Sequence, residues 1–415
     1  MYRFIKGTFR SLAGYNYRMW AAGALISNIG TWMQRTAQDW LVLTQLTHQN
    51  ATAVGIVMSL QFGPALLLLP LTGYVTDRFS RRRILFVTQF AMSLLALGLG
   101  LLTLSGHVQL WQVYVFALLL GTVTAFDAPA RQTFVSELVG ESDLANAVAL
   151  NSTSFNAARM IGPAAAGLLI ASTGTGAVFL INAASYGAVL ASLALLRRGE
   201  LHRRDRSQRA QGGLMAGFRY VAGRPDLKVL LLMLFLLGTF GLNFPIFIST
   251  MSVSVFHAGA REYGLLTSAM AVGSVTGALL AARPGKPGIP RIIGAAAIFG
   301  IGCAAAAMAS AYAWFGAILV AIGISAQIFT TSTNSLVQLA TEPGMRGRVM
   351  AILLAIFFGA TPLGAPTVGW VADRFGPRWA LGVGAASGIA AAIVGLRYLR
   401  LVRERSAKVQ APSGE

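Results

Sequence analysis

The chain has 415 residues, of which 55% are hydrophobic and 11% charged, where a soluble chain carries about 25% charged residues. Mean hydropathy is +0.64, and 33 Lys and Arg against 14 Asp and Glu leave a net charge of +19. With Cys303 as the single cysteine, this composition excludes a soluble enzyme, a disulfide scaffold and a disordered protein, and predicts an all-α membrane protein.

The first sixteen residues are basic and mixed (Arg3, Lys6, Arg10). The apolar run after them is too long for a cleavable signal peptide and lacks a cleavage site. A spanning helix needs about 20 mainly apolar residues, and that ruler gives about twelve spans. In chain order they cover 18–46, 52–76, 84–105, 108–128, 144–171 and 177–196, then 227–256, 263–282, 289–309, 313–339, 349–372 and 379–396. The predicted organisation is a six-helix half over 1–196, a basic connector over 197–226 and a second six-helix half with a basic tail over 227–415. With the N-terminus inside, 28 Lys and Arg fall on the inner side and three outside. That bias predicts a multi-pass protein of the cell (inner) membrane with both termini cytoplasmic. The positive charge therefore reads as a topology signal, and nucleic acid is not expected as a partner.

Shifting the chain by 202 residues brings the halves into weak register. Gly121 falls on Gly323, Gly162 on Gly364, Gly167 on Gly369 and Gly174 on Gly376. Paired six-span halves are a transporter plan.

Between the second and third spans stands Gly73-Tyr74-Val75-Thr76-Asp77-Arg78-Phe79-Ser80-Arg81-Arg82-Arg83. It resembles the signature loop of the major facilitator superfamily, which usually has Gly where this chain has Ser80. The fifth span carries Arg159-Met160-Ile161-Gly162-Pro163-Ala164-Ala165-Ala166-Gly167. That run resembles the Gly-Pro helix-packing motif of the superfamily's drug/proton antiporters, through Gly162, Pro163 and Gly167. The runs Ala125 to Gln132 and Asn146 to Asn151 are similar to the enterobactin-exporter-like subgroup. The second half departs from the pattern, since Gly277 is followed by no Asp. A second copy of the loop, Gly369 to Gly376, is either coincidence in an outer turn or a slip of one span in the count, and the basic tail one span later favours coincidence. The resemblance implies a major facilitator fold and a loop that latches the halves in one state, with Asp77, Arg78, Arg82, Asp127 and Arg131 as gating residues.

Charge inside a membrane is expensive, about 2.5–3.5 kcal/mol per Arg or Asp at a helix centre. On the first span Asn28, Trp32, Arg35 and Asp39 are spaced four, three and four apart, which places them on one helix face. Arg35 and Asp39 have the spacing of an i,i+4 pair. Two readings stand: a mutually neutralised structural pair, or a proton-exchanging carboxylate at Asp39. The fifth span repeats the polar stripe with Asn156 and Arg159, and Arg159 has no acid on its own helix. Its partner is either Asp39 or an anionic group on a substrate. In the second half the comparable sites are neutral: Asn243, Gln327, Thr331 and Asn334. These orient a substrate or satisfy helix packing.

The four histidines lie in or beside loops with no ligand spacing, so no metal is expected. No phosphate-binding glycine run is present, so no nucleotide and no other cofactor is expected. The sequence predicts no enzyme but a secondary active transporter. It would export amphipathic small molecules, drug or siderophore-like, in exchange for protons by alternating access. Its partners would be the small-molecule substrate, protons and the lipid bilayer, and a monomer is expected. An uncoupled facilitator, an importer, and a non-transporting receptor or assembly partner remain as rivals.

Overall fold

The computed structural model describes residues 9–202, 214–282 and 288–410, and among these there is helix but no strand. In chain order the helices are α1 (Tyr15–Trp40), α2 (Ala51–Leu67), α3 (Leu69–Arg78), α4 (Arg81–Leu104), α5 (Leu110–Leu138), α6 (Glu141–Leu195) and α7 (Leu214–Ala222). They continue with α8 (Pro225–Phe240), α9 (Phe244–Thr250), α10 (Ala260–Ala281), α11 (Ile289–Met308), α12 (Tyr312–Ala340), α13 (Arg346–Phe375) and α14 (Pro377–Gln410). Short π-helical segments, Leu41–Leu46 and Met251–Val255, extend α1 and α9.

Nine helical stretches among the described residues are long and apolar enough to cross a membrane. One of them, α6, has 55 residues and would run about 80 Å at 1.5 Å per residue, against a hydrocarbon core of about 30 Å. Gly174, at φ 82° and ψ 173°, breaks it into two limbs of spanning length. Only glycine adopts that backbone without strain. Two further spans escape a hydropathy ruler. The polar stripe of α1 lowers its hydropathy, and the second span is divided at Leu68, after which Pro70 opens α3. With these and the two limbs of α6, the described residues hold the twelve spans expected from the sequence.

The surface of α4 shows which solvent the fold is built for. Val87, Phe90, Leu94, Leu97, Leu101 and Leu104 form an exposed apolar stripe at helical spacing, while Thr88 and Gln89 are buried. Such an outside suits hydrocarbon, where polar groups must find partners within the protein.

By contacts the chain divides into two units, Met1–Gln208 with Ile248–Ser268, and Arg209–Phe247 with Ala269–Glu415. The first division falls in the expected basic connector. The segment Ile248–Ser268, which the sequence places in the second half, groups with the first unit. In the first unit α1 lies along α6, around a core of Tyr17, Trp20, Phe134, Val189 and Leu193. Trp20 meets Phe134 edge-on at 5.1 Å, and Tyr17 Oη donates to the Ala147 carbonyl at 2.7 Å. In the second unit α11 lies along α14, where a Cβ on Gly388 would stand 2.7 Å from the Gly300 nitrogen.

Three of the four glycine pairs matched by the 202-residue shift stand in like places in the two units. Gly174 and Gly376 both have positive φ, 82° and 100°, and both stand where one span turns into the next. Gly121 faces the Gln61 and Leu60 carbonyls of α2, and Gly323 faces the Met270 carbonyl of α10. Gly162 packs on α1, and Gly364 packs on Thr239 of α8. At Gly121, Gly323, Gly162 and Gly364 a neighbouring helix comes too near for a side chain.

Candidate functional site

The polar stripe of α1 divides into parts with different surroundings. Asn28 belongs to a buried network around Asp127 of α5. Asp127 Oδ1 accepts from Thr88 Oγ1 and Gln89 Nε2 at 2.7 Å each, and its Oδ2 accepts from Arg131 Nε at 3.1 Å. Arg131 also donates from Nη1 to Asn28 Oδ1 at 3.4 Å and lies over the Trp20 ring at 5.6 Å. Every member of this network sits on the first unit. Thr88 and Gln89 were not singled out from the sequence, being neutral residues in an apolar helix.

Beside the stripe, Thr31 meets Tyr186 Oη at 3.3 Å, and Gln34 accepts from Asn182 Nδ2. Both therefore hold α1 to the second limb of α6. Arg35 and Asp39 do not pair with each other as their spacing allows. No ion pair joins them among the described residues. Arg35 instead lies over the rings of Trp32 and Phe62, at 5.0 and 5.5 Å. Side chains on a helix lean toward its N-terminus, so Arg35 runs back toward Trp32 and away from Asp39. Asp127 and Arg131 stand in the reverse order, acid first, and there the lean closes the pair.

Asp39 is buried at the far end of α1, and its Oδ2 accepts from Tyr263 Oη at 3.4 Å. Tyr263 stacks on Trp40, ring centroids 5.8 Å apart. It was not foreseen, because a tyrosine near the start of a span reads as an interfacial aromatic. Nearby, Ser254 Oγ donates to Gln49 Oε1 at 2.7 Å. A Cβ on Gly167 would lie 2.6 Å from the Ala260 carbonyl, so the Gly-Pro motif receives the start of α10 there.

The first limb of α6 carries Arg159 along the same flank of α1. Gly162, one turn on, abuts Trp32: a Cβ there would lie 2.6 Å from the Trp32 Cβ and 3.1 Å from the Ile29 carbonyl. Phe155, one turn before Arg159, meets Trp32 edge-on at 5.8 Å. Arg159 thus stands between two residues that touch Trp32. Its Nε and Nη2 are buried with no hydrogen-bond partner, and it forms no ion pair among the described residues. An unsatisfied buried donor costs about 1–3 kcal/mol, more where the group is charged. Asn156 donates back to the Ser152 carbonyl at 2.9 Å and leaves Arg159 to itself. Pro163 has no N–H to offer the Arg159 carbonyl four residues earlier.

At the α3–α4 boundary Arg78 donates to Tyr74 Oη at 2.6 Å, and Arg82 donates twice to the Leu193 carbonyl, at 2.9 and 2.7 Å. Arg81 pairs with Glu137. The side chain of Asp77 and the linker arginines Arg203, Arg204, Arg206 and Arg209 lie outside the described residues.

The polar sites of the second unit are neutral and locally engaged. Gln327 Nε2 donates to Thr331 Oγ1 at 3.0 Å, and Gln338 Nε2 to Asn334 Oδ1 at 3.0 Å. Asn243 Nδ2 donates to the Thr239 carbonyl at 2.7 Å, while its Oδ1 is buried without a partner. Phe244 meets Phe247 and Phe299 edge-on at 5.9 and 6.0 Å, an aromatic cluster beside Asn243.

Comparison with known proteins agrees with this architecture. The family model described as transmembrane secretion effector matches residues 6–414. The Staphyloferrin A transporter of Staphylococcus aureus is 26% identical over 359 residues, 84% of this chain and 87% of the relative. The multidrug efflux pump Tap of Mycolicibacterium fortuitum is 26% identical over 366 residues, 85% of this chain and 88% of that one. Among solved structures, a bacterial homologue of the human lysosomal transporter Spinster superposes with a TM-score of 0.72 at 15% identity, covering 92% of this chain and 96% of its own. That last likeness concerns the fold alone.

Proposed function

We propose, from the premise that the chain belongs to the transmembrane secretion effector family of major facilitator transporters, that it exports amphipathic small molecules in exchange for protons. Membership makes it a membrane transporter and not an enzyme; direction, coupling and substrate class are the proposal. The observation that carries the coupling is Asp39. It is buried on α1, has no ion-pair partner among the described residues, and is hydrogen-bonded to a neutral phenol. A carboxylate so placed takes up a proton without first breaking a salt bridge, whereas Asp127 is committed to three donors.

A proton entering down ~100 mV supplies about 2.3 kcal/mol, enough for roughly 50-fold accumulation of a neutral substrate at one proton per cycle. Alternating access would move a half over 1–196 against a half over 227–415, the 197–226 connector and both termini being cytoplasmic. Asp77, Arg78 and Arg82 would bias that balance, and the unit at work would be a monomer in the bilayer. The relatives' names, a Staphyloferrin A transporter and a multidrug efflux pump, support siderophore-like compounds and drugs as first substrates to try.

The test uses purified protein in liposomes with an imposed pH gradient and a lumenal pH dye, against amphipathic drugs and catecholate compounds. Compound-dependent proton movement, abolished in Asp39→Asn while the variant still binds the compound, is the expected result. Uptake of a labelled compound with no proton movement would make the protein a facilitator and overturn the coupling.

A further inference from the structure

We infer that the first unit holds a binding site for the anionic group of a substrate with an aromatic or other flat apolar body, with Arg159 and Arg35 as the anion-binding residues and Trp32 and Phe155 as the apolar wall. The inference rests on the export reading for its purpose, but the site is defined by this unit's own geometry.

The charge balance among the described residues leads there. The cations deep in the first unit are Arg35, Arg131 and Arg159, and the anions are Asp39 and Asp127. Asp127 takes Arg131 at 3.1 Å. Asp39 is held by Tyr263 and makes no salt bridge with either remaining arginine. Arg159 is thus left without a counter-ion, and Arg35 without a salt bridge, its charge only partly offset by Asp39 one turn on; both stand at intermediate exposure. For Arg35 the ring faces of Trp32 and Phe62 satisfy the cation while leaving its N–H edge uncommitted. Arg159 has two buried nitrogens with no acceptor.

Arg35 lies over Trp32, and Arg159 stands on α6 between Phe155 and Gly162, each of which touches Trp32. The guanidinium fork is built for two-point contact with carboxylate, phosphate or sulfonate. An indole and a phenyl beside two such forks would offer a planar body edge and face contacts. A cationic amphipath, by contrast, would meet two like charges and one carboxylate already bound to a tyrosine.

The test is equilibrium binding in detergent without any gradient, so that failure of proton coupling and failure of this site are separate results. The probes share one body: naphthalene-2-carboxylate, its neutral amide, the cationic 2-naphthylmethylamine, and naphthalene-2,6-dicarboxylate. The readout is the ligand-induced rise in unfolding temperature, which tracks binding by mass action.

The monocarboxylate is expected to stabilise the protein at concentrations where amide and amine do not. Arg159→Gln should weaken carboxylate binding by ~10–100-fold, and Arg159→Lys should restore part of it. Arg35→Gln should bring the dicarboxylate down to the affinity of the monocarboxylate. Each variant is first shown to be monodisperse and helical, and Arg159→Lys retains the charge should Arg159→Gln fail to fold. Equal binding of amide and carboxylate, preference for the amine, or carboxylate binding indifferent to both arginine substitutions would overturn the assignment.

Discussion

Asp127→Asn separates a holding role from a gating role for the buried acid of α5. The carboxylate accepts three hydrogen bonds, two at Oδ1 from Thr88 and Gln89 and one at Oδ2 from Arg131. Asparagine has one acceptor oxygen and one donor nitrogen. If its oxygen serves Thr88 and Gln89, its NH2 faces the N–H of Arg131; if it is flipped, it faces the other two donors. At least one buried donor loses its acceptor, two in the flipped orientation, and in both the guanidinium charge is uncompensated. Removing one partner of a buried ion pair costs about 3–5 kcal/mol. The Asp127 side chain is 6% exposed and that of Arg131 17%, and Arg131 keeps Asn28 and Trp20, so the low end applies, about 3 kcal/mol.

Unfolding of such a protein in detergent is measured as a rate. The inactivation half-life at fixed temperature should therefore fall by up to ~100-fold, at 1.4 kcal/mol per factor of ten. Adding Arg131→Met should recover part of that loss, since an apolar replacement of both partners removes the orphaned charge, and the cycle should give a coupling above ~1 kcal/mol. A half-life within about twofold of wild type, with changed transport rates, would refute the holding role and return Asp127 to the gate.

Gly174→Ala and Gly376→Ala should each cost about 1–3 kcal/mol, the strain of placing a side chain in backbone that only glycine adopts, read as a shorter half-life in the same detergent assay; neutrality at either would mean the turn relaxes. Gly162→Val should be worse for binding than for folding: its Cβ would stand 2.6 Å from that of Trp32, so α1 and α6 must part by about 1 Å at an overpacking cost of ~1–3 kcal/mol. Loss of carboxylate stabilisation by that variant is the expected outcome, and unchanged binding would show that Trp32 does not set the site.

Spans, their number and the repeat could be read from the sequence because hydropathy and glycine placement are local properties. The matching positive φ of Gly174 and Gly376 bears out the repeat at the backbone level. The breaks within spans, at Leu68 and in the π-helical segments after α1 and α9, were not read, since windowed hydropathy does not register a change of backbone pitch. The grouping of Ile248–Ser268 with the first unit was equally hidden, being a matter of tertiary contact. Of the site, the stripe on α1 was legible from its spacing, and its partners were not. Tyr263 lies 224 positions from Asp39, and Gln89 lies 38 from Asp127. One clue was available: Thr88 and Gln89 are adjacent polar residues inside an apolar span, and hydrocarbon does not tolerate such groups unless the protein supplies partners.

Arg35 with Asp39 and Asp127 with Arg131 have the same i,i+4 spacing and opposite fates, and chain direction accounts for the difference. Acid before base, as in Asp127 and Arg131, lets the long side chain lean back along the helix onto the carboxylate. The result is a closed pair with two further donors, fixed in place. Base before acid, as in Arg35 and Asp39, sends the guanidinium away to Trp32 and Phe62 and leaves the carboxylate to Tyr263. A single helix thereby keeps a cation and an anion a turn apart, within each other's field but not joined in a salt bridge. Exchanging the two, as Arg35→Asp with Asp39→Arg, would conserve charge and composition while restoring the pairing order. That variant should be at least as stable as the wild type and lose both carboxylate binding and proton movement. Retention of either activity would show that it depends on the presence of the charges and not on their order.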